Sequence, residues 1–358
     1  MEKDKLFNLT ERMVKAVLPS CLFFFLLCTF IPLMAGAHTV ATDSVRKDPV
    51  AQLEDLSKQV DKKLTAHYYK TKYDTNYVAR PHQKWLFRFL ASYTGSFIHA
   101  KGTVNGIHSD YDLHTRGNKS LSLEVNYCDV AVALSFSPDK HDDHVFNFEY
   151  YGQRFSFNFN YQRATSLGGD MKWGDEKHLG DDGLLMKMYN VTGYYTFNHR
   201  QFSFPAALNQ NYFQRRSAGS WLVGVSVQAG SIKTTDEMKQ HAPKAPEMKL
   251  TFGNVGIGGG YGYNWALGRR SQWLLHLSVL PAFVLYKHNT LNVNNYEVTD
   301  KAASLNLIFN ERAAVVYHFS PKYNVGATFN MSNPLFKDDK VVVKQTKWVA
   351  RAFFGLRL

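Results

Sequence analysis

The densest run of metal-competent side chains in the chain is His141-Asp142-Asp143-His144. Adjacent residues rarely converge on one ion, so the run reads as a solvated loop. Asp170, Asp175, Glu176, His178, Asp181 and Asp182 form an acidic stretch suited to collecting calcium. Their spacing is not that of an EF-hand loop, and a charged external loop is the default. His108-Ser109 is the one adjacent His–Ser pair, but a catalytic pair has to meet through space. Gly256, Gly258, Gly260 and Gly262 imitate a nucleotide-binding loop. They alternate inside a strand pattern, where glycines admit a neighbouring side chain or relieve curvature. No cofactor and no catalytic residue is expected. The chemistry left over is electrostatic. Arg88, Arg312, Lys347, Arg351 and Arg357 share the polar parity of their segments with Asn158, Asn160, Gln228, Asn254, Asn264, His276 and Asn306. Glu124 is the clearest acid on that parity.

The elements that carry these residues have a two-residue period. In the last segment Trp348, Ala350, Ala352, Phe354, Leu356 and Leu358 fall on one parity, opposite Lys347, Arg351 and Arg357. Successive strand side chains point to opposite faces, which makes one face apolar and the other largely cationic. Phe155, Phe157, Phe159 and Tyr161 alternate just as cleanly with Ser156, Asn158, Asn160 and Gln162. The pattern recurs from Lys84 onward and predicts an all-β fold. We read an antiparallel transmembrane β-barrel of about twelve strands, apolar parity to lipid and polar parity to the lumen. Short joins at 116–118, 151–153, 267–270 and 320–321 alternate with longer ones at 164–183, 233–251, 287–301 and 331–343. The apolar parity changes after Tyr127, where we place a bulge near Cys128-Asp129.

Composition agrees with this. The 358 residues include 26 Phe and 20 Tyr, with only 3 Cys and a net charge of +12. The basic residues are scattered through alternating segments, which argues against nucleic acid as a partner. Lys3, Lys5, Arg12 and Lys15, the apolar run 21–34 and Ala35-Gly36-Ala37 read as a signal peptide over residues 1–37. Residues 38–83 are expected to be periplasmic. Within them Pro49, Val50, Leu53, Leu56, Val60 and Leu64 predict a short amphipathic helix. Residues 84–358 form the barrel. The expected location is the outer membrane of a Gram-negative bacterium, with lipid and lipopolysaccharide as neighbours and a monomer favoured.

The join at 198–216 is too long for a periplasmic turn. Its residues Phe202-Ser203-Phe204-Pro205-Ala206-Ala207 and Gln214-Arg215-Arg216-Ser217-Ala218-Gly219-Ser220 resemble the central signature of domain of unknown function 4421, a family of secreted Bacteroidota proteins. Tyr73-Asp74-Thr75-Asn76-Tyr77 resembles its opening motif. The resemblance implies placement in the envelope and brings no established activity with it. From the residues themselves we expect a narrow channel or a structural envelope component with a basic, polar lumen, and a small anionic solute if the lumen is open. One alternative is a membrane-embedded lipid enzyme, although the Ser-Asn-Gly that follows the histidine of outer-membrane phospholipases is missing after His108. The other is a secretion-assembly partner that docks through 198–216.

Overall fold

The computed structural model describes residues 49–358 apart from 71, 105–106, 116, 138–143, 174–175, 242–246, 294–295, 301–305 and 338–340. The expected signal peptide, Asp175 and the His141-Asp142-Asp143 part of the metal-competent run lie outside the described residues. The described residues fall into two compact units, 49–70 with 128–132, and the remainder. The first contains the helix α1, Pro49–Tyr69, which includes the predicted helical spacing. Among the described residues no helix is long and apolar enough to cross a membrane.

After α1 come the short β1 (Val78–Ala79), β2 (Trp85–Val104), β3 (Ile107–Thr115), β4 (Asn118–Tyr127) and β5 (Val130–Phe136). Next come β6 (His144–Tyr151), β7 (Phe155–Trp173), β8 (Glu176–Thr196), the one-turn helix α2 (Phe204–Leu208) and β9 (Phe213–Gln214). The rest is β10 (Ala218–Thr234), α2's successor α3 (Asp236–His241), β11 (Met248–Leu267), β12 (Trp273–Val293), β13 (Tyr296–Asp300), β14 (Leu307–His318), β15 (Tyr323–Lys337) and β16 (Val341–Arg357). The strand pairings that form the ring are antiparallel. They close on themselves in the order β16, β15, β14, β12, β11, β10, β8, β7, β3, β2, because β16 pairs back to β2 from Val341↔Gly102 to Arg357↔Leu86.

Ten strands therefore close the ring, against the twelve expected. The difference lies between β2 and β7. β3 and β4 both pair antiparallel with β2, β3 along Phe97–Val104 and β4 along Trp85–Thr94. They are two parts of one returning strand, and the chain at Gly117 is a kink rather than a turn. Gly117 permits the kink with a φ of 80°. The bulge expected near Cys128-Asp129 is a reversal. Both residues have positive φ, 50° and 73°, as a two-residue hairpin turn requires. Residues 133–136 run back beside β4, with Ser122 Oγ and Ser135 Oγ 2.7 Å apart. The expected loops at 164–183 and 287–301 are largely strand, since β7, β8 and β12 continue through them.

Alternation in burial follows the expected parity. Along β14, Ile308, Asn310, Arg312, Ala314, Val316 and His318 are buried, and the residues between them are half-buried. Outside stands a band of bare apolar side chains; Trp221 is 68% and Leu277 50% exposed. Near the end with the short 268–272 and 319–322 connections, aromatic rings pair on neighbouring strands. Trp85 lies 4.4 Å from Tyr127, Phe155 5.2 Å from Tyr195 and Trp273 4.5 Å from Tyr317.

The glycine run has a mechanical role at the β11–β12 corner. The register shifts between Val255 and Gly256. A Cβ on Gly258 would run into the Pro281 carbonyl oxygen, part of the backbone, whereas one on Gly259 would find its nearest atom 3.8 Å away. Gly258→Ala is therefore expected to cost about 1–3 kcal/mol through overpacking. Gly259→Ala should leave the urea midpoint unchanged. Equal midpoints for the two variants would refute this account of the corner.

Candidate functional site

The long join between β8 and β10 folds into the end of the ring that carries the short connections. Ser203 caps α2, its Oγ accepting from Ala206 N at 3.2 Å, and Pro205 occupies the first turn, where it needs no N–H partner. All five α2 residues are buried, and Phe202 is fully buried. Phe202 and Phe204 meet edge to face at 5.0 Å, with the His276 ring 5.3 Å from Phe204. Glycine at 262 makes the room; a Cβ there would lie 3.1 Å from Phe202 Cζ.

Gln214 ties this plug together. Its Nε2 donates to the carbonyls of Gln201 at 2.6 Å, Arg216 at 2.8 Å and Tyr77 at 3.3 Å. Its Oε1 accepts from Ser203 N at 3.1 Å and Asn264 Nδ2 at 2.9 Å. Ser217 Oγ accepts from Ala266 N at 3.0 Å, and the Gly219 carbonyl accepts from Asn198 Nδ2 at 2.9 Å. Arg215 reaches back to the Thr75 carbonyl at 3.0 Å, and β1 pairs with β9. The 73–77 and 202–220 motifs, far apart in sequence, thus build one structure. Residues 202–208 of it are buried, while Thr75, Asn76, Arg215 and Arg216 are exposed.

Wall residues grip the plug. Arg88 Nη1 donates to Gln210 Oε1 at 2.8 Å and to the Leu208 carbonyl at 3.2 Å. Its other nitrogens bind the Glu124 carboxylate at 2.5–3.0 Å. Arg357 Nη2 donates to the Gln210 carbonyl at 2.7 Å. Asn126 donates to Asn211 at 3.0 Å and Gln153 to Ser203 Oγ at 3.1 Å. His276 Nδ1 lies 2.7 Å from Asn264 Oδ1, a bond in which the imidazole donates, and Nε2 lies 3.0 Å from Ser278 Oγ.

Further along the strands the remaining charges form a second group. Arg351 makes a two-armed bond to Glu149 at 2.8 and 2.9 Å. Arg312 lies over the rings of Tyr194 at 4.3 Å and Tyr151 at 5.5 Å. Lys347 donates to Asn160. Glu149, Arg312 and Lys347 line a polar chamber of about 60 Å³ with Glu311, Asn147, Asn310 and Asn330. Toward the far strand ends an apolar cluster of Ile98, Tyr111, Leu113, Leu167, Leu184 and Met186 follows.

The six predicted lumen charges are thus all half-buried or buried, but they do not meet at one point. Arg88, Glu124 and Arg357 bind or brace the plug, Arg312 and Lys347 line the chamber, and Arg351 pairs with Glu149 of its lining. Sequence reasoning missed Glu149 and Gln210. Asn147, Glu149 and Tyr151 alternate with Phe146, Phe148 and Tyr150, so parity alone marks Glu149 as inward. Gln210 carried no comparable signal, because it lies in a join. His108 and Ser109 are consecutive in β3. On the outer parity, His99, Asp110 and Asp112 bring one ligand atom each within 4.8 Å of one another.

Residues 72–357 match the family described as "Domain of unknown function (DUF4421)". No curated protein matches the chain. Among solved structures, outer membrane protease OmpT from Escherichia coli is 7% identical with a TM-score of 0.44, covering 81% of this chain and 100% of its own. The translocator domain of autotransporter NalP from Neisseria meningitidis is 9% identical with a TM-score of 0.30, covering 88% of this chain and 100% of its own. Outer membrane protein OprG from Pseudomonas aeruginosa is 11% identical with a TM-score of 0.26, covering 78% and 98%. No residue role is carried over from them.

Proposed function

We propose, for a chain that belongs to the DUF4421 family, a structural outer-membrane barrel whose lumen is closed rather than a channel for diffusing solutes. The observation that carries this reading is the plug. Residues 202–208 are buried within the ring and held by charge-assisted bonds from two wall arginines, Arg88 and Arg357. The apolar cluster toward the other end narrows the passage a second time.

Placement in a membrane is supported by the exposed apolar band and by the aromatic pairs at one end. Lipid is the solvent that makes such a surface favourable, and aromatic rings concentrate at bilayer interfaces. Strands such as β2 and β11 have 20 residues. At about 3.3 Å per residue and a tilt near 40° they reach roughly 50 Å, about twice the height of a barrel's apolar band. The far half of the barrel therefore stands outside the bilayer.

Two measurements test this. Fractionation combined with a heat-modifiability gel should find a folded barrel in the outer membrane. In planar bilayers the purified protein should give no steady conductance. A stable ohmic current from the wild type would replace the closed barrel with a channel.

A further inference from the structure

The ring is not equally complete at all heights. Near the plugged end β5 adds to β4 and β6 adds to the near half of β7, but among the described residues no pairing joins β5 to β6. Residues 133–136 and 146–148 are exposed on both parities, unlike strands elsewhere in the wall. Ser135 and Asn147 belong to the inner parity, as their partners Ser122 and Asn160 do, and are exposed nonetheless. Free strand edges facing hydrocarbon are costly, because no water is there to satisfy them. Irregular backbone at that depth survives where it lines a polar cavity.

Behind this interruption lies the polar chamber, and β6 supplies Asn147 and Glu149 to its lining. Arg312 is 8% exposed and its Nη1 has no hydrogen-bond partner. Asn310, 7% exposed, leaves its Nδ2 donor unused in the same lining. Two unspent donors, one permanently cationic, point at one small space. Arg312 and Lys347 line it with two carboxylates, Glu149, which Arg351 already pairs, and Glu311, which accepts from Asn333. The chamber's volume of about 60 Å³ admits a few waters, each requiring at least about 10–15 Å³. That suits one phosphate group and excludes a bulky sugar head. Outside the interruption Leu134, Phe136, Phe146 and Phe148 are exposed.

We propose that the β5–β6 interruption is a lateral entry for an anionic phospholipid. Its phosphate oxygen takes hydrogen bonds from Arg312 and Asn310, and its acyl chains lie outside against Leu134, Phe136, Phe146 and Phe148. The Arg351–Glu149 pair flanks the path, so Glu149 screens the arginine until a stronger anion enters. The proposal rests on the membrane placement above, and a closed axial lumen leaves the side wall as the route in.

The test uses the full chain in neutral detergent micelles, titrated with short-chain phosphatidic acid, short-chain phosphatidylcholine and inorganic phosphate. Phosphatidic acid is expected to bind at least tenfold more tightly than either of the others. Arg312→Gln should weaken that binding at least tenfold. Phe148→Ser should weaken the lipid and leave inorganic phosphate unaffected. If Arg312→Gln fails to fold, Asn310→Asp, which sets a negative charge against the phosphate, gives the same reading. Equal affinity for phosphatidylcholine, or no change in both Arg312→Gln and Asn310→Asp, would overturn the site. Inorganic phosphate binding as tightly as the lipid would overturn the lateral acyl contact. Micelle binding together with fractionation away from the outer membrane would sink the placement and uphold the site.

Discussion

Glu124→Ala is expected to lower the folding stability of the barrel by about 3–5 kcal/mol, the usual cost of stripping one partner from a buried ion pair. Arg88 and Glu124 are 7% and 9% exposed, and three of the five Arg88 hydrogen bonds end on that carboxylate. Without it the guanidinium stays buried and charged, since arginine does not shed its proton in a protein. Arg88 also holds the Leu208 carbonyl and Gln210, so the plug should loosen with it. The urea midpoint in micelles measures the loss. The double variant Arg88→Met/Glu124→Leu should recover part of it, because apolar pairs often replace buried ion pairs at little cost. A shift below about 1 kcal/mol in Glu124→Ala would mean that the pair is solvated and the plug held by other means.

Phe204→Ala should cost a similar amount, about 3–5 kcal/mol, by a different mechanism. Phe204 is 1% exposed, touching Phe202 and the His276 ring. It sits on a one-turn helix too short to be stable by itself, so its neighbours cannot collapse into the space it leaves. The midpoint should fall while the denaturant slope holds, since the surface exposed on unfolding barely changes. Near wild-type stability in Phe204→Ala would show the plug to be an ornament of an already stable ring.

The strand faces were legible because burial in a wall two-sided in polarity imposes a period of two, and Phe155-Ser156-Phe157-Asn158 spells it without interruption. What failed was the reading of reversals. Gly117 looks like a turn residue, yet its positive φ serves a kink between two strands on one edge of β2. At Cys128-Asp129 the apolar parity passes from Tyr127 to Val130. Residues facing each other across a two-residue hairpin lie three apart and share a face, so parity flips just as it does at a bulge. Only the sign of two φ angles separates the cases, and composition does not display it in a Cys-Asp pair. The family motif announced an ordered segment, but its partners Arg88, Asn126, Asn264 and Arg357 lie in four strands. No local pattern links them.

Gln210 has a kinetic consequence. Its side chain binds Arg88 of β2 and its carbonyl binds Arg357 of β16, the two strands of the closing seam, across spans of 122 and 147 residues. Bringing those strands together unaided closes one loop about twice as long as either span. Loop-closure entropy grows with the logarithm of length, so each half closes for about 0.6 kcal/mol less than the whole. Once residue 210 has captured both arginines, the most distant pairing in the fold becomes a local zippering. The same geometry sets an order of events. A segment held from both sides of the seam, by Arg88 and by Arg357, has to be seated before that pair of strands locks, so the plug is a template for closure before it is a stopper.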